Sequence, residues 1–130
     1  MAIKAIKILV FYVNDIAASA EFYSKLGFKK ISAEKTLAQM SLGPMTLQFV
    51  DMRTAHDESF RKEAVGEPKG RGIYIDIEVE GIDGYYQSLV DKGLKPSSAP
   101  RDWPWGHREF VIRDPDGYKL VFYQKITKHN

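Results

Sequence analysis

"YVNDIAASAEFYSKLGFKK" (Tyr12–Lys30) returns 66 residues later as "EVEGIDGYYQSLVDKGLKP" (Glu78–Pro96). That offset lays Val13 on Val79, Ile16 on Ile82, Gly27 on Gly93, Phe28 on Leu94 and Lys29 on Lys95. Each copy reads as a strand, a helix, a helix-ending glycine and a further strand. Residues 3–13 and 73–80 are rich in β-branched and aromatic side chains, which suit a pleated, half-buried surface. Asp15 is a good helix N-cap. Ile16, Ala20, Tyr23 and Leu26 then recur at helical spacing and predict one apolar face. Gly27 is placed to close the helix in a left-handed conformation. In the second copy Ile82, Tyr85, Tyr86, Leu89 and Val90 make the corresponding face, and Gly93 ends it.

Working outward, "FKKISAE", "TLAQMSL" and "MTLQFVD" follow the first helix, with Gly43-Pro44 turning between the last two. After the second helix come a Pro-rich segment, "REFVIRD" and "YKLVFYQ", with Asp114-Pro115-Asp116-Gly117 as a hairpin turn whose aspartates are expected to face solvent. The fold class is therefore α+β: two βαβββ modules, ferredoxin-like half-barrels, paired into a curved mixed-sheet cleft. The expected organisation is a single domain, residues 1–130, with module 1 at about 3–51, a polar linker or mobile surface segment at about 52–71 and module 2 at about 72–126. One helix covers only one face of a four-stranded sheet. The other face must meet the second module, a second chain or a ligand.

Composition narrows the function. The 130 residues are 44% hydrophobic and 28% charged, typical of a globular domain with a packed core. There is no cysteine, which removes disulfides, thiolate metal ligands and cysteine nucleophiles. The 19 basic residues are interleaved with 17 acidic ones, and a net charge of +2 argues for no nucleic-acid partner. No apolar run approaches the roughly 20 residues that span a bilayer, so no membrane partner is expected. "MAIKAIKILVFYV" carries Lys4 and Lys7 and lacks a small-residue cleavage site, so it does not read as a signal peptide; a cytoplasmic protein is expected.

The plan resembles the vicinal oxygen chelate superfamily, which includes glyoxalase I, extradiol dioxygenases and bleomycin resistance proteins. The resemblance rests on "VNDIAASAEFYSKLGF" in the first half and "DPDGYKLVF" in the second, together with the repeat. Enzymes of that family hold one divalent metal with a His or Gln on the first strand of each half and a Glu on the last. Carried over, the first-strand positions are Ile8 and Tyr74, and the last-strand positions are Gln48 and Val121. A divalent ion wants carboxylate or imidazole donors, so no metal, no cofactor and no catalytic residue are expected. His56 and His129 read as solvated surface residues; His107 lies beside the expected cleft.

Within the superfamily, "WPWGHREFVIRDPDG" (Trp103–Gly117) is most similar to the bleomycin resistance proteins, which bind a ligand without metal chemistry. That implies a metal-independent small-molecule binder acting by sequestration of an antibiotic or metabolite. The alternative is a metal-dependent lyase, isomerase or dioxygenase with atypical ligands, and a third is a dimer with a vestigial cleft. A binder of a cationic drug should be acidic, and this chain is not.

Tryptophan offers a large flat face at low entropic cost, which suits a planar ligand. Trp103 and Trp105 flank Pro104 in a segment too polar and kinked for a buried strand, so they are expected over the cleft. Strand alternation sends Ile8, Val10 and Tyr12 inward, with Tyr74, Asp76 and Glu78, Thr46, Gln48 and Val50, and Lys119, Val121 and Tyr123. The candidate ligand residues are Tyr12, Gln48, Tyr74, Asp76, Trp103, Trp105, His107, Arg108 and Tyr123. The expected ligand is a planar aromatic small molecule, and the expected assembly is a homodimer.

Overall fold

The computed structural model describes residues 2–54, 58–63, 66 and 68–126. The chain forms two compact units, 1–66 and 67–130. Each carries one four-stranded mixed sheet and a helix against one of its faces.

In the first unit the sheet order is β1-β4-β3-β2. β1 (Ile8–Val13) runs parallel to β4 (Met45–Asp51), and the antiparallel strands β2 (Lys29–Ala33) and β3 (Leu37–Leu42) complete it. A parallel pair needs a crossover, and helix α1 (Ile16–Leu26) supplies it. Asp15 caps α1, accepting a hydrogen bond from the Ala18 amide at 3.1 Å, and Gly27 closes it at φ 113°. The buried face of α1 is Ile16, Ser19, Phe22, Tyr23 and Leu26. Tyr23 is the centre of this core: its ring lies 4.9 Å from Phe49 of β4 and 5.2 Å from Phe28, edge-on to the latter.

The second unit repeats the plan in the order β5-β8-β7-β6. β5 (Tyr74–Glu78) is parallel to β8 (Lys119–Lys125), joined to β7 (His107–Arg113) and the short edge strand β6 (Arg101–Trp103). Helix α3 (Ile82–Asp91) buries Ile82 and Leu89, while Tyr85 and Tyr86 pack on Phe122 and Phe110 at 5.0 and 5.3 Å. Burial pushes the Tyr85 hydroxyl well above the usual phenol range. Its N-terminus is capped from a distance, because Gly81 has no side chain: Gln124 of β8 accepts the Ile82 amide hydrogen bond at 2.8 Å. Gly27 and Gly93, at φ 113° and 87°, keep the 66-residue offset between the two helix ends.

Three expectations are corrected. The first strand begins at Ile8, not residue 3: pairing with β4 starts at Ile8 opposite Thr46, and Ile3 and Ile6 are 99% and 80% exposed. Val90 is exposed and lies off the apolar face of α3. The segment following β4 contains a 3-10 turn (Met52–Thr54) and a short helix α2 (Glu58–Glu63). Asp114 and Asp116 do not face solvent but are buried. Asp114 Oδ1 accepts from the amides of Asp116 and Tyr118, both at 2.9 Å, so the carboxylate organises the turn from inside. The 68–70 segment covers it, with the Lys69 amide donating to the Asp116 carbonyl at 3.1 Å.

That cover depends on Gly117. A Cβ there would stand 2.5 Å from Pro68 Cβ, and φ is +96°. Gly43, also left-handed at φ +55°, faces open space. Gly43→Ala should cost about 1–2 kcal/mol from backbone strain alone. Gly117→Ala should cost that plus about 1–3 kcal/mol of overpacking. Urea unfolding of the two variants measures the difference; equal losses would mean that Pro68 moves aside freely.

Candidate functional site

The sheet face turned away from α3 gathers most of the candidate residues, and the register shows how. Asp76 pairs with Val121 and Val121 with Val111; one row further, Glu78 pairs with Tyr123, Tyr123 with Glu109 and Glu109 with Arg101. His107 pairs with Trp103 at the next row. Alternation turns every second residue to the other side, so Asp76, Val121, Tyr123, His107, Glu109 and Trp103 share one face. Leu120, Phe122, Phe110 and Ile112 form the buried core on the opposite side.

Two ring stacks occupy that face. The His107 and Tyr123 rings lie 4.4 Å apart at 16°. The Trp103 and Trp105 rings lie 4.8 Å apart at 14°, across the turn from β6 to β7. Trp105 is 60% exposed, so it is not core filling. Its indole N–H donates to Glu109 Oε1 at 2.8 Å, which fixes the ring's orientation. The Arg101 guanidinium lies 3.8 Å from the centre of the Trp103 ring, a cation–π contact. Trp103 thus stands on an edge strand rather than in a loop.

The acids here are coupled. Partial burial raises the Asp76 carboxyl above the usual carboxylate range; the negative Glu109 adds to the rise and His107 opposes it. Glu78 pairs loosely with Lys125, at 3.8 Å, near the rim.

Arg108 does not join this face. One residue out of phase with His107 and Glu109, it points to the helix side, where its guanidinium meets Asp83 of α3 at 2.9 Å and Asp102 at 3.0 Å. Its role is to tie β6, β7 and α3 together. Glu109 takes the place that Arg108 was expected to hold, and the period-two spacing from His107 was the signal that identifies it. Arg101 carried no signal of its own.

Tyr12 and Gln48 belong to the first unit, on the face of its sheet away from α1. Val10 pairs with Gln48, as Asp76 pairs with Val121, and Asp76 is 66 residues beyond Val10, so Gln48 and Val121 are equivalent positions. The Gln48 amide oxygen accepts from Gln39 Nε2 at 2.7 Å. Of the four positions that the family resemblance assigns to a metal, Ile8 and Val121 carry no donor atom, Gln48 is held by Gln39, and the Tyr74 ring lies under the Lys119 ammonium at 5.0 Å. This donor set does not fit a divalent cation. His56 and His129 lie outside the described residues.

A groove of about 550 Å³ in the first unit lies elsewhere, beside α1. Within it Asp51 and Arg53 form a two-pronged pair at 3.0 and 3.1 Å, and hydrogen bonds from Arg53 hold the Asp51 carboxyl below the usual carboxylate range. It contributes no aromatic surface.

Comparison with known proteins agrees with the architecture. Residues 5–122 match the family model of the glyoxalase/bleomycin resistance protein/dioxygenase superfamily. A bleomycin resistance protein from Geobacillus stearothermophilus is 33% identical over 124 residues, covering 88% of this chain and 92% of that one. A bleomycin resistance protein from Staphylococcus aureus matches equally. Among solved structures, a glyoxalase/bleomycin resistance protein/dioxygenase from Nocardioides superposes with a TM-score of 0.80 at 26% identity, over 100% of this chain and 89% of that one. This chain belongs to the glyoxalase/bleomycin resistance protein/dioxygenase superfamily. Among the described residues no helix is long and apolar enough to cross a membrane.

The Asp76 environment makes a signed prediction. Its pKa is higher in the folded chain than in the unfolded one, so the folded state binds the proton more tightly. Stability on this account is lost as pH rises through the interval between the two values. Asp76→Asn should therefore raise the melting temperature at pH 7, and the gain should vanish near pH 3, where the carboxyl is protonated in both states. A gain of equal size at both pH values would assign the effect to packing.

Proposed function

We propose that the protein is a metal-independent small-molecule binding protein that sequesters a planar aromatic ligand, an antibiotic or a metabolite. One observation carries this reading: the second sheet turns two ring stacks and the Asp76 and Glu109 acids to one side while the core residues Leu120, Phe122, Phe110 and Ile112 lie on the other. An exposed, oriented indole costs free energy in solvent and is useful against a flat partner. A mostly apolar surface with a few fixed polar groups is the usual make-up of small-molecule sites. The relatives at 33% identity are bleomycin resistance proteins, which favours binding over turnover. The donor-poor set Ile8, Gln48, Tyr74 and Val121 favours a binding role without metal.

Glu109 holds Trp105, His107 supports Tyr123, Asp76 lies one row from Tyr123, and Tyr74 lies at the far end of the same face. Tyr12 and Gln48 present the matching face of the first sheet. Two exposed sheet faces per chain invite a symmetric partner, and a homodimer of cytoplasmic location is part of the proposal.

Replacing Trp105 by Ala should weaken a bound planar ligand more than tenfold, through lost area and ring geometry. The melting temperature should stay near that of the parent, since the ring is 60% exposed. The check is a tryptophan-fluorescence screen of planar antibiotics and aromatic metabolites, followed by affinity and melting measurements on Trp103→Ala and Trp105→Ala. Early melting of both variants with no responding ligand would end the binding reading.

Elemental analysis after dialysis against zinc, nickel or manganese should give far below one equivalent per chain. One tight equivalent would restore the lyase, isomerase or dioxygenase alternative. Light scattering at tens of micromolar should give twice the 14.8 kDa chain mass; a monomer would remove the dimer.

A further inference from the structure

The lower end of the second sheet's exposed face has a different character. Tyr74 of β5 pairs with Lys119 of β8, and Lys119 with Arg113 of β7, so these three form the row below Asp76. The segment Pro68–Ile73, with the sequence "PKGRGI", folds against this row and encloses a pocket of about 310 Å³. Four cationic residues line it (Lys69, Arg71, Lys119 and Arg113), and no carboxylate does.

The backbone around this pocket is specialised. Gly70 and Gly72 are left-handed, at φ 74° and 84°, in a turn closed by the Ile73 amide on the Gly70 carbonyl. Gly70 has no room for a side chain, because a Cβ would meet the Tyr118 ring. Lys69 is 7% exposed, an unusual position for a lysine. Arg113 gives one of its five donors to the Gly117 carbonyl at 2.9 Å. Lys119 rests over the Tyr74 ring and has no carboxylate partner among the described residues. Asp114, in the adjoining turn, directs Oδ1 inward onto the amides of Asp116 and Tyr118. By register, the nearest carboxylate on the same face is Asp76, one row up and about 7 Å along the strand. Lys119 and Arg113, on the sheet row, face this concavity together and focus a positive potential into it.

We infer that the pocket formed by the 68–73 turn with Arg113 and Lys119 is an oxyanion subsite, which takes the phosphate or carboxylate of a small ligand. Guanidinium and ammonium donors together with a glycine-rich turn are well suited to a compact anion. The subsite lies on the proposed ligand face and so narrows its ligand class, although its first test below does not rest on that reading. The Tyr123 row is four residues from the Lys119 row along β8, about 13 Å. A ligand using both ends therefore carries its acid on a spacer, away from the ring system.

The first test is a titration of the 15N-labelled full chain with sodium phosphate and, separately, with acetate, at constant ionic strength. The amides of Gly70, Gly72 and Lys119 should shift together and saturate. In Lys119→Met/Arg113→Gln the apparent affinity should fall about tenfold or more. Lys119→Met alone, which leaves the Arg113 bond to Gly117 intact, should fall part of the way and controls for disruption of the turn. A response to phosphate alone or to acetate alone identifies the oxyanion and supports the subsite. No saturable shift with either anion, or shifts unchanged in both variants, overturns it.

The second test follows flavin fluorescence anisotropy with riboflavin and FMN, which share one planar ring system and differ by a phosphate at the end of a ribityl chain. FMN should bind about tenfold tighter, Lys119→Met should narrow the difference and Lys119→Met/Arg113→Gln should erase it. Equal affinities would overturn the subsite while leaving the ligand face standing. If neither flavin binds, the ligand-face reading loses support and the anion titration alone decides the subsite.

Discussion

The parallel pairing of the first and last strands of each module is the constraint from which the rest follows. β1 lies beside β4, and β5 beside β8, so in both cases the chain must cross over before it can complete the sheet. Only one helix per module makes that crossing. Its inward stripe, centred on Tyr23 in one module and on Ile82 and Leu89 in the other, saturates one sheet face. Every second residue on every strand is then left facing away from the core, whatever its chemistry. The face that carries the proposed function is a by-product of the way the core closes.

The second module uses this freedom differently from the first. In the first, the face away from the helix is mainly aliphatic and amide-bearing, with Ile8, Val10 and the Gln39–Gln48 pair beside Tyr12. In the second, the same positions are aromatic and charged, graded from cations at the Lys119 row through the Asp76 and Glu109 acids to the tryptophan stack. The gradient is laid along the strands, so fixing the register also fixes the order of the polar groups. A one-residue slip of β7 would exchange His107 and Glu109 for Arg108 and Phe110, which shows how strongly register and chemistry are tied.

Most of the fold was legible because its signals are local and redundant. Asp15, Gly27 and the apolar spacing of α1 each point to the same helix, and the repeat at 66 residues states the argument twice. The strand faces followed from alternation alone. The features that stayed hidden depend on partners distant in sequence. The strand start at Ile8 follows the pairing with β4, which opens at Thr46, and not the β-branched run before it. The burial of Asp114 and Asp116 required the 68–70 segment to fold over the turn, and nothing in "DPDG" announces that cover. The capping of α3 by Gln124 spans 42 residues. Arg108 was misplaced by reading the motif as a block instead of in steps of two. The cationic pocket was half visible: Lys119 was assigned to the exposed face, but "KGRG" read as a linker until its glycines were seen to fold against the sheet.

The shared glycines and the divergent outer faces have an evolutionary meaning. Positions that close a core are under the same selection in both halves, whereas positions on the outer face are released from it. A gene duplication that leaves two such halves in one chain gives one copy room to change its outer face while the other keeps its own. Because the helix-facing and outward-facing residues alternate one by one, new specificity can accumulate along β7 and β8 without touching Phe110, Ile112, Leu120 or Phe122. The architecture thereby separates evolvability from foldability at the resolution of single residues.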